Sequence, residues 1–275
     1  MAELREHTAN PVQLGQGIWR ARDLIWQMTR REVVGRYRGS VLGLFWSFFN
    51  PVLMLTIYTF VFSVVFKARW GEGGESKFEF ALILFAGLIV YNLFAECVNR
   101  APSLILSNVN YVKKVVFPLE ILPLATLGAA LFHFIVSLGV LLLFYILVAS
   151  SLNWTIIFVP LILVPLLLMT LGISWFLASL GVFLRDVAHT VGLLTSVLMF
   201  LSPIFYPIAA LPEKYRVFLY MNPLTFIIEQ MRNALIWGKG PSWLGLSVMT
   251  AGSVLIALLG AAWFQKTRKG FADVL

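Results

Sequence analysis

The sequence predicts an all-α, polytopic membrane protein: six transmembrane helices, an N-terminal amphipathic helix in the interface plane, and a re-entrant outer segment between spans five and six. Three observations carry this. Of 275 residues, 60% are hydrophobic and only 12% charged, too little charged surface to keep a soluble domain of this size dissolved. The apolar residues also come in long runs. No Lys, Arg, Asp or Glu occurs in 39–66, 80–95, 121–184, 187–212 or 240–265. Finally, the basic residues are distributed unevenly between alternate connections.

A span needs about 20 apolar residues to cross roughly 30 Å of hydrocarbon. The run 121–184 is long enough for two, with a polar break at Ser150-Ser151-Leu152-Asn153-Trp154. The expected spans therefore lie near 40–66, 79–98, 122–149, 155–183, 189–207 and 243–264, with Glu96 close to the end of the second. Assigning the connections to alternate sides gives fourteen Lys and Arg on the side of the termini and seven on the other. The positive-inside rule then places both termini in the cytoplasm. In this context the net charge of +8 reflects topology, and nucleic-acid binding is excluded. The single cysteine, Cys97, excludes an intrachain disulfide. The first 38 residues carry Arg and Glu throughout with no short apolar core, so no secretory signal peptide is expected. The chain divides into a cytoplasmic arm, 1–38, and a six-span domain, 39–275.

The segment from Gly17 to Arg38 reads as an amphipathic helix. At 100° per residue, Ile18, Trp19, Ile25, Trp26 and Val33 fall in one sector, opposite Arg20, Asp23, Gln27, Arg30, Arg31 and Arg38. Such a helix lies along a membrane surface. Gly35, Gly39 and Gly43 follow at four-residue spacing, a pattern that lets helix backbones approach closely within a subunit or across a dimer. Pro51 lies inside the first span and predicts a kink. The connection 99–120 is too polar to span. Its residues 107–117, between Pro102 and Pro118, suit a short helix parallel to the membrane. From Glu213 to Gly240 the pattern changes: only twelve residues, Val217 to Ile228, lie without a charge between Arg216 and Glu229, and Pro203, Pro207, Pro212 and Pro223 cut the region into short pieces. Two half-helices dipping in from the outer face fit, shielded by protein or lining a water-filled cavity.

Catalytic chemistry is hard to find. There is no G-x-x-x-x-G-K-[ST] phosphate loop, and Gly238-Lys239 lacks its flanking residues. His7, His133 and His189 have no metal-ligand spacing. Ionisable candidates within the membrane reduce to His133, His189 and Glu96, fewer than a proton- or sodium-coupled transporter requires. The residues describe a pathway without its own energy source.

Four stretches, in order, carry a resemblance: Arg36-Tyr37-Arg38-Gly39-Ser40-Val41-Leu42-Gly43-Leu44-Phe45-Trp46 with Asn50-Pro51; Lys113-Lys114-Val115-Val116-Phe117-Pro118 with Ile121-Leu122-Pro123; Phe183-Leu184-Arg185-Asp186-Val187; and Ser202-Pro203-Ile204-Phe205-Tyr206 with Asn222-Pro223-Leu224. Together they resemble the polysaccharide-export branch of type 2 ATP-binding-cassette transporter permeases, which includes O-antigen and teichoic-acid exporters, across essentially the whole chain. The pattern looks closer to O-antigen than to capsule exporters. The resemblance implies a homodimeric pathway in the bacterial inner membrane, powered by two copies of a separate ATPase. This chain would bind no cofactor, ATP and Mg²⁺ being held by the partner. The N-terminal helix would be a gate helix and 107–117 a coupling helix, with Asn108, Tyr111, Lys113 and Lys114 facing the ATPase. The substrate would be a polysaccharide on an undecaprenyl-diphosphate-type lipid. Arg36 and Arg38, at head-group depth, offer guanidinium forks for its diphosphate. Phe45, Phe49 and Phe60, in one phase of the first span with Thr56, and Phe200, Phe205 and Tyr206 in the fifth, would line the channel. Aromatic faces suit the apolar faces of sugar rings. A secondary transporter would need midplane charges and an inverted repeat, and a membrane-embedded enzyme a catalytic cluster; the sequence offers neither.

Overall fold

The computed structural model describes residues 11–65, 77–112, 117–149 and 152–275, and among them there is no β-strand. Helices α1 (Pro11–Arg20) and α2 (Arg22–Arg36) form the arm. Then come α3 (Phe45–Tyr58), continued by a π-helical stretch Thr59–Val65, and α4 (Lys77–Leu104). A short α5 (Val109–Val112) precedes two long helices, α6 (Ile121–Ala149) and α7 (Val159–Phe183). The chain ends with α8 (Val187–Phe200), α9 (Glu213–Met221), α10 (Pro223–Leu235), α11 (Trp243–Thr267) and α12 (Phe271–Val274).

Five segments are long and apolar enough to cross a bilayer: Phe45–Phe62, Phe78–Leu104, Ile121–Val148, Trp154–Phe183 and Trp243–Val274. The fifth expected span is shorter. Helix α8 has 14 residues, about 21 Å at 1.5 Å per residue, and the chain turns at 201–206 immediately after it. The second span, by contrast, runs past its expected end. Asn99-Arg100-Ala101-Pro102 belongs to the last turns of α4 and not to a loop, since the helix ends only at Leu104.

Helix α4 is the axis of the molecule, buried along nearly its whole length against α6, α7, α8 and α10. The tightest pairing is between α7 and α11. Gly172 and Gly260 face each other there, and a Cβ on Gly260 would collide with the backbone of Gly172. This is small-residue packing, which without a hydrophobic drive between helices is what lets spans associate. Pro51 cannot donate to the carbonyl of Ser47 within α3, and Ser47 Oγ turns to Leu44 O at 2.7 Å.

Two expectations about the arm need correction. Gly39 and Gly43 lie in the turn between α2 and α3 with φ of +85° and +50°, and nothing comes within 4 Å of a Cβ on either or on Gly35. Within the chain Gly39 and Gly43 serve a left-handed turn, and none of the three forms a helix-packing face. The amphipathic face is also rotated. Met28, Thr29 and Val33 are buried, with Ile18, Leu24 and Ile25 packed beside them, while Trp19 and Trp26 are 69% and 70% exposed. Trp19 and Trp26 sit at the edge of the expected sector and point away from the bundle. Helix α2 packs against α6, where Thr29 lies over Gly128 in the space a Cβ would fill.

The proline-broken region after α8 does form two short helices, separated at Asn222. That residue caps α10 by accepting from Leu224 N at 3.0 Å, ahead of Pro223 in the first turn. The last carbonyls of α10 have no partner within the helix. Thr155 Oγ1 donates to Ala234 O at 2.7 Å, and Asn153 Nδ2 and Tyr145 Oη donate to Ile236 O at 2.9 and 3.2 Å. With both ends satisfied, α10 is buried among α4 and α7, whereas α9 is largely exposed.

Candidate functional site

At the end of the bundle that carries the arm, an ionic cluster joins α2, α4 and α6. Arg36 Nη2 donates to Glu96 Oε1 at 2.6 Å and its Nη1 to His133 Nδ1 at 2.9 Å. His133 Nε2 lies 3.2 Å from the Tyr37 hydroxyl, which fits the tautomer protonated on Nε2. Its Nδ1 also lies 3.3 Å from Glu96 Oε2. That nitrogen can accept from Arg36 or donate to Glu96, but not both. One turn along, Arg100 pairs with Glu32 and stands 3.8 Å from Glu96, while Thr126 Oγ1 donates to Glu32 at 3.3 Å. Burial pushes the Glu32 carboxyl above its ordinary value, opposed by Arg100 and by the Thr126 hydrogen bond. Residues 96 and 100 of α4 and 32 and 36 of α2 are each one turn apart, so two helices present matched rungs of opposite charge.

The neighbouring α5 is tied to the same arm. Arg31 Nη1 donates to the Tyr111 hydroxyl at 2.8 Å, and the Tyr111 ring stacks on Phe117 at 4.3 Å. Asn108 Nδ2 donates to Leu104 O at 2.9 Å, closing the end of α4. Lys113 and Lys114 lie outside the described residues. After α5, the chain is held by Arg268, which donates to Glu120 Oε2 at 2.7 Å and to Phe117 O at 3.0 Å.

The structure therefore separates the two arginines expected to share one role. Arg36 is engaged by Glu96 and His133, while Arg38 is exposed in the turn before α3. The aromatics divide as well. Phe45, Phe49 and Phe60 lie on an exposed face of α3 and its extension, joined by Phe48, Leu53, Met54 and Ile57. Phe45 and Phe49 are 6.3 Å apart. Phe200 and Phe205 meet at 5.8 Å at the opposite end, and Phe205 stacks on Phe62, not on Phe60, at 6.2 Å. Tyr206 donates to Phe200 O at 2.7 Å, which folds the 201–206 turn back over the end of α8.

Sequence reasoning missed Arg232, a fully buried arginine on α10. Its signal was present: it occupies the apolar stripe Leu224, Ile228, Arg232, Leu235, where spacing alone asks for an aliphatic residue. The pairing of Glu32 with Arg100, 68 positions apart, left no local signal.

A helical membrane chain with a buried axis helix, an ionically fastened N-terminal helix and a short helical pair after its fifth apolar helix has the architecture of a transporter membrane subunit. The ABC-2 type transporter family matches residues 23–236, and the chain belongs to that family, whose membership implies an ATPase partner. The chain is similar to the O-antigen export system permease protein RfbA of Myxococcus xanthus, 26% identical over 264 residues that cover 95% of this chain and 99% of that protein. It is also similar to an RfbA of Klebsiella pneumoniae, 28% identical over 92% of this chain and 95% of that one. The polysialic acid transport protein KpsM of Escherichia coli is 23% identical over 86% and 90%.

Proposed function

We propose that the chain is the membrane-spanning permease of an ATP-driven exporter of lipid-linked polysaccharide, O-antigen-like, across the bacterial inner membrane. It works as a homodimer with two copies of an ATPase that holds ATP and Mg²⁺. The observation that carries this reading is the exposed aromatic face of α3, with Phe200 exposed at the end of α8, in a chain that matches O-antigen permeases over 92–95% of its length. In this reading the chain crosses six times, α8 completing the fifth crossing with the turn that follows it, and both termini are cytoplasmic. The ionic cluster then faces the cytoplasm, α2 is the gate helix, and Asn108 and Tyr111, followed by Lys113 and Lys114, approach the ATPase. Phe45, Phe49, Phe60, Phe200, Phe205 and Tyr206 form sugar-facing surfaces at two depths.

The diphosphate of the lipid carrier meets Arg38 first, since this side chain is exposed. Arg36 becomes available when a phosphate takes the place of Glu96, because one guanidinium edge serves one anion at a time. The test is ATP hydrolysis by the reconstituted complex as lipid-linked saccharide is added. Stimulation is expected in the wild type, and about tenfold weaker apparent affinity in Arg38→Lys, since lysine keeps the charge and loses the fork. Unstimulated hydrolysis in the wild type would overturn the export reading. Wild-type behaviour of Arg38→Lys would reduce this arginine to a lipid anchor.

A further inference from the structure

Arg232 lies in a helix that carries no proposed substrate contact, yet its side chain is 0% exposed and its donors are spent on three separate segments. Nε donates to Ile83 O of α4 at 3.0 Å. Nη1 donates to Pro203 O at 2.6 Å and to Glu229 Oε1 at 2.8 Å, and Nη2 donates to Ile204 O at 3.1 Å. Two of these carbonyls belong to the turn immediately before Phe205 and Tyr206. A fork of coplanar donors can hold two successive carbonyls in a fixed relation to a third; an ammonium group, a point charge on a flexible stem, cannot.

The surroundings are arranged around this reach. Gly87 on α4 leaves the notch through which the guanidinium passes: a Cβ there would lie 2.9 Å from Nη2 and 3.4 Å from Ile228 Cγ2. The same turn is gripped from its other side, where Asn222 Nδ2 donates to Ser202 Oγ at 2.9 Å and to Leu201 O at 3.3 Å. The turn in turn orients its rings. Phe205 is set against Phe62 and Phe200, and Tyr206 is tied to Phe200 O.

We propose that Arg232 is a positioning residue for transport: by holding the carbonyls of Pro203 and Ile204 through the notch at Gly87, it sets the Phe200–Phe205–Tyr206 aromatic surface against which the saccharide chain moves. The saccharide contact rests on the functional reading above, but the positioning does not. A surface of aromatic rings binds sugar rings by face contact, so its affinity depends on ring orientation, whereas the ATPase stroke arrives from the other end of the molecule. Disturbing Arg232 therefore weakens substrate affinity more than maximal turnover.

The test uses the full chain in complex with its ATPase, in liposomes, with Arg232→Lys and Gly87→Ala. The second variant keeps the arginine and obstructs only its path. Each is expected to raise the half-stimulating concentration of lipid-linked saccharide about tenfold, with maximal hydrolysis within twofold of wild type. Equal half-stimulating concentrations in both variants and wild type would overturn the proposal, as would loss confined to the maximal rate. A second readout needs no substrate: 4-fluorophenylalanine in place of Phe205, observed by fluorine NMR. Its resonance is expected to shift or broaden in both variants, while a fluorotryptophan at Trp243 stays in place. An unmoved Phe205 resonance would overturn the positioning. If wild-type complex ignores lipid-linked saccharide, the functional reading fails and the fluorine resonance alone judges Arg232.

Discussion

The two ends of the bundle hold arginines in opposite ways. At the end that carries the arm, Arg36 and Arg100 are about 40% exposed and face carboxylates of a separate helix. At the opposite end Arg232 is fully buried and spends most of its donors on backbone carbonyls. A part-solvated ion pair is replaceable, because water or another anion can take either partner's place, and its net worth is about 1 kcal/mol or less. A buried arginine surrounded by carbonyls has no substitute partner, and removing it leaves several acceptors stranded. The first arrangement suits a joint that opens in a working cycle, and the second suits a fixed strut. The difference teaches where motion belongs: at the arm, and not in the turn that follows α8.

The comparison can be broken most severely at the strut. Arg232→Met should cost about 3–5 kcal/mol, as uncompensated burial does, and should appear as a large loss of thermal stability in detergent. A loss no greater than that of a cluster variant would erase the contrast. Next in size, Gly260→Leu drives a side chain into the backbone of Gly172. It should lower the melting temperature by an amount corresponding to about 1–3 kcal/mol and leave the arm's hydrogen exchange unchanged.

At the joint, Glu96→Gln should cost about 1 kcal/mol or less, because Arg36 is partly solvated. Amide exchange should speed up in α2 alone. Protection lost equally in α10 would mean that the two ends are one cooperative unit.

The smallest effect is a dependence on pH. Burial raises the folded pKa of Glu32 above the unfolded 4.5, so the folded state binds the extra proton between those two values. Docking of α2 should therefore weaken as pH rises from about 4.5 through the folded pKa, and tighten as it falls. Spin-label mobility on α2 should follow that slope in the wild type and lose it in Glu32→Gln; identical slopes would remove Glu32 from the joint.

Much of the fold was legible because a bilayer leaves few alternatives to long apolar helices. The spans at 122–149, 155–183 and 243–264 stand where charge-free runs place them. Asn222-Pro223 divides the region after α8 as capping chemistry requires. The short α8 and the rotated arm were not legible. Both depend on where neighbouring helices lie, and α2 takes its buried face from α6 through Thr29 and Gly128. The glycine spacing at 35, 39 and 43 fits a packing face and a turn equally, and within the chain only the positive φ of Gly39 and Gly43 decides. The geometry of the candidate site was half legible. Exposed aromatics could be phased along a helix, whereas the engagement of Arg36 by His133 and Glu96 joins residues 60 and more positions apart.

The central claim is that this chain forms an ATP-dependent route for lipid-linked polysaccharide and supplies no energy of its own. The direct measurement is movement of a radiolabelled lipid-linked saccharide across proteoliposomes containing the chain and its ATPase, with the chain alone as the companion sample. The account expects transfer that requires both proteins and hydrolysable ATP, and none from the chain alone. Transfer by the chain alone, or ATP hydrolysis by it in the absence of the partner, would contradict the account.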